Sequence, residues 1–560
     1  MTRRRSATPA GSRLLVALAI LTLVGAILRL VRLGHSPPGL VQDEGVTAFN
    51  AYCLLKTGHD ASSASWPIFY YHGIGGSPTT LLMYLLIPFQ ALAGMSVVST
   101  RLPVAVTGIL SIPLIYYIGS RLFGKPVGLV AAAMLVVNPW HVSSTRWAID
   151  GSIVPFFVFA GVAAMLRAGF PIADAPPRSA SPWAALAAGL IAGVSCYGYW
   201  AIRLHLPVFL ALTLLLNARG WWAWLRTRAG ATATLAFAAG LACTAGPLAL
   251  RHLTDPELLA RGTQTRLWEA GAPAIEIARR ILERYTVHFG PDFLFVRGDI
   301  DPGNSPADSG MFEWAVLPLM LIGLFSAIRR LRTSASSSLL LAMLLAYPVG
   351  DIVAVYPGAH AFRSSPGLLA LVLLAALGFV VTVRFARRRG VAVAWGAAML
   401  IAGAMLLQDV RSMSVYFGEW PNRMPIYRTF HTDFMQASAW VKPRFDNVDA
   451  VLWTAADVNM PFAMTLVGLD YPPARWFKDE KVVVRGAGGW DFYLRYGKNY
   501  FLYGERARPY VEALQHAGHP VHALFVVRPH ELGLTDPVHV IRDPFGHERL
   551  WICDTMLGPD

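Results

Sequence analysis

The chain has 560 residues, of which 55% are hydrophobic and 15% are charged, and its mean hydropathy is +0.45. This composition is too apolar for an ordinary soluble domain and predicts a polytopic membrane protein with a soluble part. The net charge of +14 does not indicate nucleic acid as a partner. Its basic residues cluster in short loops, and no zinc-finger spacing, aromatic-interleaved basic patch or Walker glycine loop occurs.

A hydrophobic segment at 13–33 follows three arginines, Arg3, Arg4 and Arg5. Its basic start is shared with secretory signal peptides, but it has no clear small-x-small cleavage site and many apolar runs follow it. We interpret it as an uncleaved anchor. Because basic residues before a span stay in the cytoplasm, the N-terminus is predicted inside and the residues after 33 outside.

Two adjacent carboxylates, Asp43 and Glu44, follow this segment and are expected at the outer membrane surface. Carboxylates there can bind a metal or take a proton from an acceptor hydroxyl. A solvated pair of loop charges is the alternative. An aromatic-rich stretch, 66–72, follows and ends at His72.

Eleven further hydrophobic runs follow, near 79–95, 101–119, 126–138, 150–167, 183–199, 203–217, 229–250, 313–328, 337–356, 365–383 and 390–407. If all were spans, the basic loops at 329–332 and 384–390 would lie outside, against the positive-inside rule. Omitting 79–95, which contains Pro88 and Gln90, places them inside. We therefore expect an interfacial or re-entrant helix at 79–95 and about eleven spans, with thirteen as the upper number.

This topology predicts two domains. Residues 1–407 form a membrane domain with a first outer loop at 34–100 and a long outer loop at 251–312. Residues 408–560 alternate apolar runs with Pro, Gly and Asp turns, which predicts a soluble extracytoplasmic α/β domain. The four cysteines form no metal-binding spacing. Cys53 and Cys553 both fall on the predicted outer side, so a disulfide between them is an open alternative.

Three arginines lie at predicted outer ends of spans. Arg146 and Asp150 are four residues apart and share a helix face, as a simple ion pair or as an anion-binding Arg beside a positioned carboxylate. Arg203 follows Tyr197 and Tyr199. It either snorkels to lipid phosphate or binds a ligand.

The third of these arginines, Arg363, follows His360. A charge at bilayer depth costs roughly 2.5–3.5 kcal/mol on insertion scales. Several arginines on the side of the acidic pair therefore indicate an anionic ligand that approaches from the membrane.

Several motifs in order resemble the lipid-linked-sugar glycosyltransferases of the GT-C superfamily, in particular the bacterial family 39 group. That group includes protein O-mannosyltransferases and the aminoarabinose transferase of lipid A. The matching residues span about 15–400 and comprise Asp43-Glu44, 50–58, Arg101-Leu102-Pro103, 121–124, Asn138-Pro139 with Arg146 and Asp150, 288–299, and 360–364.

The resemblance implies a polyprenyl-phosphate sugar donor and an inverting transfer of a hexose or pentose at the outer face of the cytoplasmic (inner) membrane. It implies a membrane lipid environment and a lipid, glycan or protein acceptor. Asp43 would be the general base, and Glu44 would orient it or help to hold a divalent cation. Arg146, Arg203, Arg363 and His360 would bind the donor phosphate. Candidates for further substrate contacts are Asp150, Tyr197, Tyr199, His72, Asp292 and Arg297.

The sequence departs from the family pattern in the first loop. Many relatives have Gly-Asp-Trp and Lys-Pro-Pro there, whereas this chain has Gly58-His59-Asp60 and Gly76-Ser77-Pro78. No His and carboxylate cluster defines a metal site. Two other classes stay open: a transporter or flippase of a lipid-linked anion, and a non-catalytic envelope protein. Against the first, the sequence has no inverted repeat and no paired broken helices.

Overall fold

The computed structural model describes residues 9–70, 78–174, 180–255, 266–305, 309–485 and 491–558. The chain is mainly helical and ends in a seven-stranded sheet. This confirms the predicted class, a polytopic α-helical membrane protein with a C-terminal α/β domain.

Residue contacts divide the chain into two compact units. The helical unit comprises residues 1–31, 104–146 and 150–415, and the sheet unit comprises 32–103, 147–149 and 416–560. The contacts group the first loop after the first helix with the C-terminal residues. The predicted domain boundary between 407 and 408 stays a prediction.

Sixteen of the described helices precede residue 418. They are α1 Pro9–Leu30, α2 Gln42–Thr57, α3 Thr80–Ala93, α4 Val97–Phe123, α5 Lys125–Val137, α6 Pro139–Ser144, α7 Val154–Ala168, α8 Pro182–Ser195, α9 Ile202–Leu216, α10 Ala218–Leu225, α11 Arg228–Thr254, α12 Ala274–Val287, α13 Leu317–Arg329, α14 Ala335–Ala346, α15 Gly367–Arg387 and α16 Val391–Phe417.

Every hydrophobic run that we interpret as a span coincides with a helix, namely α1, α4, α5, α7, α8, α9, α11, α13, α14, α15 and α16. Among the described residues, six helical segments are long and apolar enough to cross a membrane. A seventh results if α9 and α10, which meet at 87°, form one span. The other apolar helices have 10–17 residues, fewer than the roughly 20 that cross a bilayer core. The number of spans therefore stays a prediction.

Helix α3 is the run that we predicted to be interfacial or re-entrant. It has 14 residues with Pro88 inside, and at about 1.5 Å per residue it is shorter than a bilayer core of about 30 Å. One face, with Leu82 and Leu86, is buried. The Gln90 amide donates to the Ala48 carbonyl of α2 at 2.9 Å. Its position in a membrane stays a prediction.

Small residues allow the helices of the helical unit to pack closely. A Cβ at Gly189 on α8 would lie 2.1 Å from the Phe237 carbonyl oxygen of α11. A Cβ at Gly378 on α15 would lie 1.9 Å from the Leu319 carbonyl oxygen of α13. Backbones approach this closely only where side chains are absent, as is typical of packed membrane helices.

The C-terminal part of the sheet unit contains five helices and seven strands. They are α17 Met424–Thr429, α18 Thr432–Val441, α19 Pro461–Gly468, α20 Pro473–Lys478 and α21 Arg508–Gln515, with β1 Ala450–Thr454, β2 Lys481–Arg485, β3 Asp491–Tyr496, β4 Asn499–Leu502, β5 Val521–Val527, β6 His539–Arg542 and β7 Glu548–Leu557.

The sheet has the order β2-β3-β4-β1-β5-β7-β6. Strand β1 is parallel to both neighbours, β4 and β5, and the other pairs are antiparallel. All five residues of β1 are buried, as expected for a parallel strand covered on both faces. Cys53 and Cys553 are buried free thiols, so the structure contains no disulfide between them.

We predict that cysteine labelling of intact cells will place the loop between α13 and α14 inside and the sheet unit outside, because the loop carries Arg329, Arg330 and Arg332. The probes are Thr333→Cys and Glu505→Cys, both at exposed positions. The exposed native Cys243 is first replaced by serine. A membrane-impermeant maleimide should label only Glu505→Cys before permeabilisation. Labelling of Thr333→Cys alone would reverse the topology.

Candidate functional site

The acidic pair lies in the first turn of α2, where negative charge is favoured by the helix dipole. Asp43 is exposed, whereas Glu44 is completely buried. Helix α2 is held against α19, because a Cβ at Gly45 would lie 2.8 Å from the Ala463 carbonyl oxygen. The adjacent carboxylates therefore face different surroundings, and only Asp43 meets solvent.

Glu44 forms a buried ion pair with Arg101, and both side chains are 0% exposed. The Arg101 Nε donates to Glu44 Oε1 at 2.8 Å, and Nη2 donates to Oε2 at 2.9 Å. The same guanidinium donates to the carbonyl oxygens of Leu33, Pro37 and Gly39 at 3.1, 2.7 and 3.0 Å. All five of its N–H groups are thus used.

The Glu44 carboxylate is also surrounded by hydrogen-bond donors. Besides Arg101 it accepts from the Ala148 N–H at 2.8 Å and from the Val41 N–H at 3.3 Å. A carboxylate with four donors is poorly placed to bind a cation. Within the described part of the chain, no three His, Cys, Asp or Glu side chains come together to hold a metal ion. The described residues therefore do not fit the divalent cation that we considered.

In the helical unit, a second cluster surrounds the buried Asp351. Its Oδ2 accepts from Arg284 Nη2 at 3.0 Å, from His288 Nε2 at 3.1 Å and from the His360 N–H at 3.0 Å. Its Oδ1 accepts from Arg363 Nη1 at 3.3 Å. The buried Asp351 carboxylate is thus paired with two guanidinium groups and hydrogen-bonded by His288 and the His360 N–H, as a buried charge requires.

His360 is neutral in this cluster. Burial, and then the positive charge of Arg363, lower its pKa to about 3. Its Nδ1 accepts from the Phe362 N–H at 3.2 Å. Asp299 lies behind it and accepts from the Ala361 N–H at 2.8 Å and from the Tyr356 hydroxyl. The residues 356–363 are therefore held from both sides by buried carboxylates.

Four predicted residues come together here. His360 and Arg363 both donate to Asp351. Arg363 is also hydrogen-bonded to the half-buried Tyr199, and Asp150 acts electrostatically on the Tyr199 hydroxyl. A Cβ at Gly151 would lie 2.6 Å from Phe362 Cβ. Arg363 is the partly exposed guanidinium of the cluster, at 23%. Arg284 and Asp351 also belong to the cluster, and no pattern in the sequence predicts them.

Arg146 is held by helix carbonyl groups. Its side chain is fully buried. Nη1 donates to the Leu28 carbonyl at 2.8 Å and Nη2 to the Val31 carbonyl at 2.7 Å. These carbonyls lie at the C-terminal end of α1, where a cation is favoured. We therefore interpret Arg146 as an anchor of α1, and its predicted contact with the donor phosphate stays a prediction.

The remaining predicted residues lie in separate places. Arg203 donates from Nε to the Cys196 carbonyl at 3.0 Å and stacks on Trp200 at 3.9 Å. The Tyr197 hydroxyl donates to the Thr244 carbonyl at 2.8 Å, which joins α11 to the turn after α8. Asp292 and Arg297 form an ion pair at 2.7 Å. His72 lies outside the described residues.

The chain is similar to known proteins in part of its sequence and in its fold. The family model of dolichyl-phosphate-mannose-protein mannosyltransferases matches residues 19–245. ArnT from Cupriavidus metallidurans bound to undecaprenyl phosphate is 14% identical, with a TM-score of 0.53 over 97% of this chain and 98% of that chain. Its apo structure gives 0.54 over 98% of each chain, again at 14% identity.

AglB from Archaeoglobus fulgidus, in complex with an inhibitory peptide and a dolichol-phosphate, is 13% identical. Its TM-score is 0.51 over 82% of this chain and 63% of that chain. No curated protein sequence matches significantly. These matches confirm the resemblance to the GT-C glycosyltransferases. The family match includes Asp43, Glu44 and Arg101, whereas Asp351 lies beyond it.

We predict that Arg101→Ala will lower the free energy of unfolding by about 3–5 kcal/mol, because it leaves Glu44 charged, buried and without its partner. Arg297→Ala is the matched control, since Arg297 forms a similar pair with Asp292 but is 78% exposed, and such pairs contribute about 0–1 kcal/mol. Tryptophan fluorescence of the detergent-purified variants during thermal unfolding measures the difference. Equal shifts for both would show that the buried pair has no special weight.

Proposed function

We propose that the chain is an integral-membrane glycosyltransferase that moves a hexose or pentose from a polyprenyl-phosphate donor to an acceptor. The observation that supports this most directly is the contrast within the acidic pair. Asp43 is exposed in the first turn of α2, and the buried Glu44–Arg101 pair fixes that turn. The GT-C fold and the family match to 19–245 agree with this proposal.

Asp43 acts as the general base in this proposal. It accepts the proton of the acceptor hydroxyl while the acceptor oxygen forms a bond to the anomeric carbon. The bond between that carbon and the phosphate oxygen breaks, and its electron pair stays on the polyprenyl phosphate. A single displacement inverts the anomeric configuration. No general acid is required, because the leaving phosphate is an anion that positive charge stabilises.

Glu44 positions Asp43 and takes no part in proton transfer. Its two oxygens accept four hydrogen bonds, two of them from Arg101. Of the two roles predicted for Glu44, this proposal keeps the orientation of Asp43. It does not include the binding of a cation.

The donor phosphate binds to the Arg363 side of the Asp351 cluster. Two guanidinium groups, Arg284 and Arg363, face the Asp351 carboxylate. Arg363 has the longer contact, 3.3 Å against 3.0 Å, and is the more exposed of the two. A planar guanidinium pairs with phosphate through two parallel hydrogen bonds. Asp351 is a positioning residue that orients Arg363, and His360, Tyr199 and Asp150 border this position.

In this proposal the reaction takes place at the outer face of the cytoplasmic membrane, since the positive-inside rule applied to the basic loops predicts the sheet unit outside. The acceptor is a lipid, a glycan or a protein. An assay of sugar transfer also distinguishes this proposal from the two alternatives. Neither a flippase nor a non-catalytic envelope protein would break the bond between the sugar and the polyprenyl phosphate.

We expect Asp43→Asn to reduce transfer from radiolabelled polyprenyl-phosphate hexoses and pentoses into native membranes by about 10²–10⁴-fold, the usual effect of a general base. The substitution is nearly isosteric and exposed, so the unfolding temperature should not change. Asp446→Asn, at a carboxylate that is 83% exposed, is the control and should transfer normally. Normal transfer by Asp43→Asn would remove it as the base. Absence of transfer by the unaltered protein from every such donor would refute the proposed function.

We expect Arg363→Lys to lower kcat/KM for the donor by about 10–100-fold, since a charged hydrogen bond is worth about 1.5–3 kcal/mol and lysine offers only a point charge. Asp351→Asn should show a similar loss, mainly in the KM for the donor. The control is Arg279→Ala on α12, because Arg279 is exposed and points to a different side of the helix from Arg284. If both cluster variants keep their KM, the phosphate binds elsewhere.

A further inference from the structure

A groove in the sheet unit is not used by the proposed transfer. Its volume is about 570 Å³, within the usual range of roughly 300–1,000 Å³ for ligand sites. It is formed by residues from 32–39, 418–422 and 432–439, with Val97. The polar side chains that line it belong to Arg32, His35, Asn422, Thr432 and Gln436.

The lining favours an anion. None of the described residues that line the groove has a carboxylate. The nearest acidic neighbours in sequence are engaged elsewhere, Glu419 with Arg423 at 3.6 Å and the buried Asp433 with Arg528 at 2.9 Å. The guanidinium of Arg32 uses one N–H for the Phe417 carbonyl at 3.3 Å, which leaves several donors for a ligand.

Thr432 supplies a further polar group. Its Oγ1 is buried and has no hydrogen-bond partner among the described residues. A buried hydroxyl without a partner costs free energy that a bound oxygen atom would recover. Thr432 is also the first residue of α18, and the N-terminus of a helix attracts negative charge.

The groove is preformed. One wall, 33–39, is fixed by the three carbonyl groups that accept from Arg101. The Leu40 N–H donates to the Phe430 carbonyl at 2.6 Å. A Cβ at Gly39 (φ +55°) would lie 2.1 Å from the same oxygen, so only glycine fits there. A rigid site binds a ligand without ordering its own loops.

Two non-glycine residues at the groove adopt a left-handed conformation, one in the lining and one directly before it. Arg32 has φ 51° and His431, which precedes Thr432, has φ 41°. Each such residue costs about 1–3 kcal/mol and is common at ligand sites. Neither residue is Asn or Asp, which adopt this conformation most readily. Seven other described non-glycine residues share this conformation, so the strain accompanies the groove but does not identify it.

The groove is adjacent in sequence to two apolar helices. Arg32 follows the segment 12–30 and Gly418 directly follows α16, and both segments are long and apolar enough to cross a membrane. Basic side chains at such helix ends lie at the level of lipid headgroups. The ligand that this place and this chemistry select is a phosphate group attached to a lipid.

We infer that the groove between 32–39, 418–422 and 432–439 binds the phosphate-bearing headgroup of a membrane lipid, through Arg32, His35 and Thr432. This site is independent of the donor position at Arg363. By chain length alone Gly39 and Asp43 are at most about 14 Å apart, so a bound headgroup also lies near the exposed carboxylate of α2.

The test uses the full chain purified in detergent and short-chain lipids below their micelle concentration. The probes are dihexanoylphosphatidic acid, uncharged dihexanoylglycerol and inorganic phosphate. The main variant is Arg32→Gly, because glycine keeps the left-handed backbone at φ 51° without strain. Thr432→Val removes only the hydroxyl, and Arg428→Ala, at an exposed arginine that does not line the groove, is the charge control.

Saturable binding of dihexanoylphosphatidic acid is expected, measured by microscale thermophoresis. Arg32→Gly should weaken it at least 10-fold and Thr432→Val about 3–10-fold, whereas Arg428→Ala should stay within twofold. Equal binding of dihexanoylglycerol, equal loss in Arg428→Ala, or no effect of Arg32→Gly would overturn the inference. Binding of inorganic phosphate as tight as that of the lipid would assign the groove to free phosphate instead. None of these readouts requires sugar transfer, so failure here is distinct from failure of the proposed function.

Discussion

The buried ion pair between Glu44 and Arg101 is the constraint on which the sheet unit's functional surface depends. One guanidinium holds the first turn of α2 and three carbonyl groups of the preceding segment. Two charges in an apolar interior are costly unless every donor and acceptor is satisfied, and here they are. The pair therefore specifies a single arrangement of residues 33–44, which places both Asp43 and the wall of the groove.

The two carboxylates of the acidic pair show how a helix separates roles. Successive residues on a helix point about 100° apart, so when Glu44 faces the interior, Asp43 faces solvent. A one-residue shift of α2 would bury the base and expose its anchor. The buried capping interaction with the Val41 N–H and the close contact at Gly45 prevent such a shift.

The sequence predicts the helices well because apolar runs of this kind form helices, and each of the eleven runs coincides with an α-helix, although the number that cross a membrane stays a prediction. It also predicts the exposed acid at Asp43. It fails where a site is assembled across distance: Arg284 and Asp351 are 67 residues apart, and no local pattern joins them. Arg146 shows another limit of the sequence. Its hydrogen bonds to the Leu28 and Val31 carbonyls could not be predicted from any periodicity, and its predicted ligand role stays a prediction.

Two arginines join the C-terminal end of α1 to later parts of the helical unit, namely Arg146 after α6 and Arg29, which reaches the end of α5. Arg146 donates to Leu28 and Val31, and Arg29 on α1 donates to Leu135 and to Val136. During synthesis α1 emerges about 105 residues before these partners, a delay of roughly 5–20 s at 5–20 residues per second. Until then, of the carbonyl groups to which Arg29 donates, only that of Gly25, on α1 itself, is available. The contacts that hold α1 in the helical unit are therefore completed only after α5 has been synthesised.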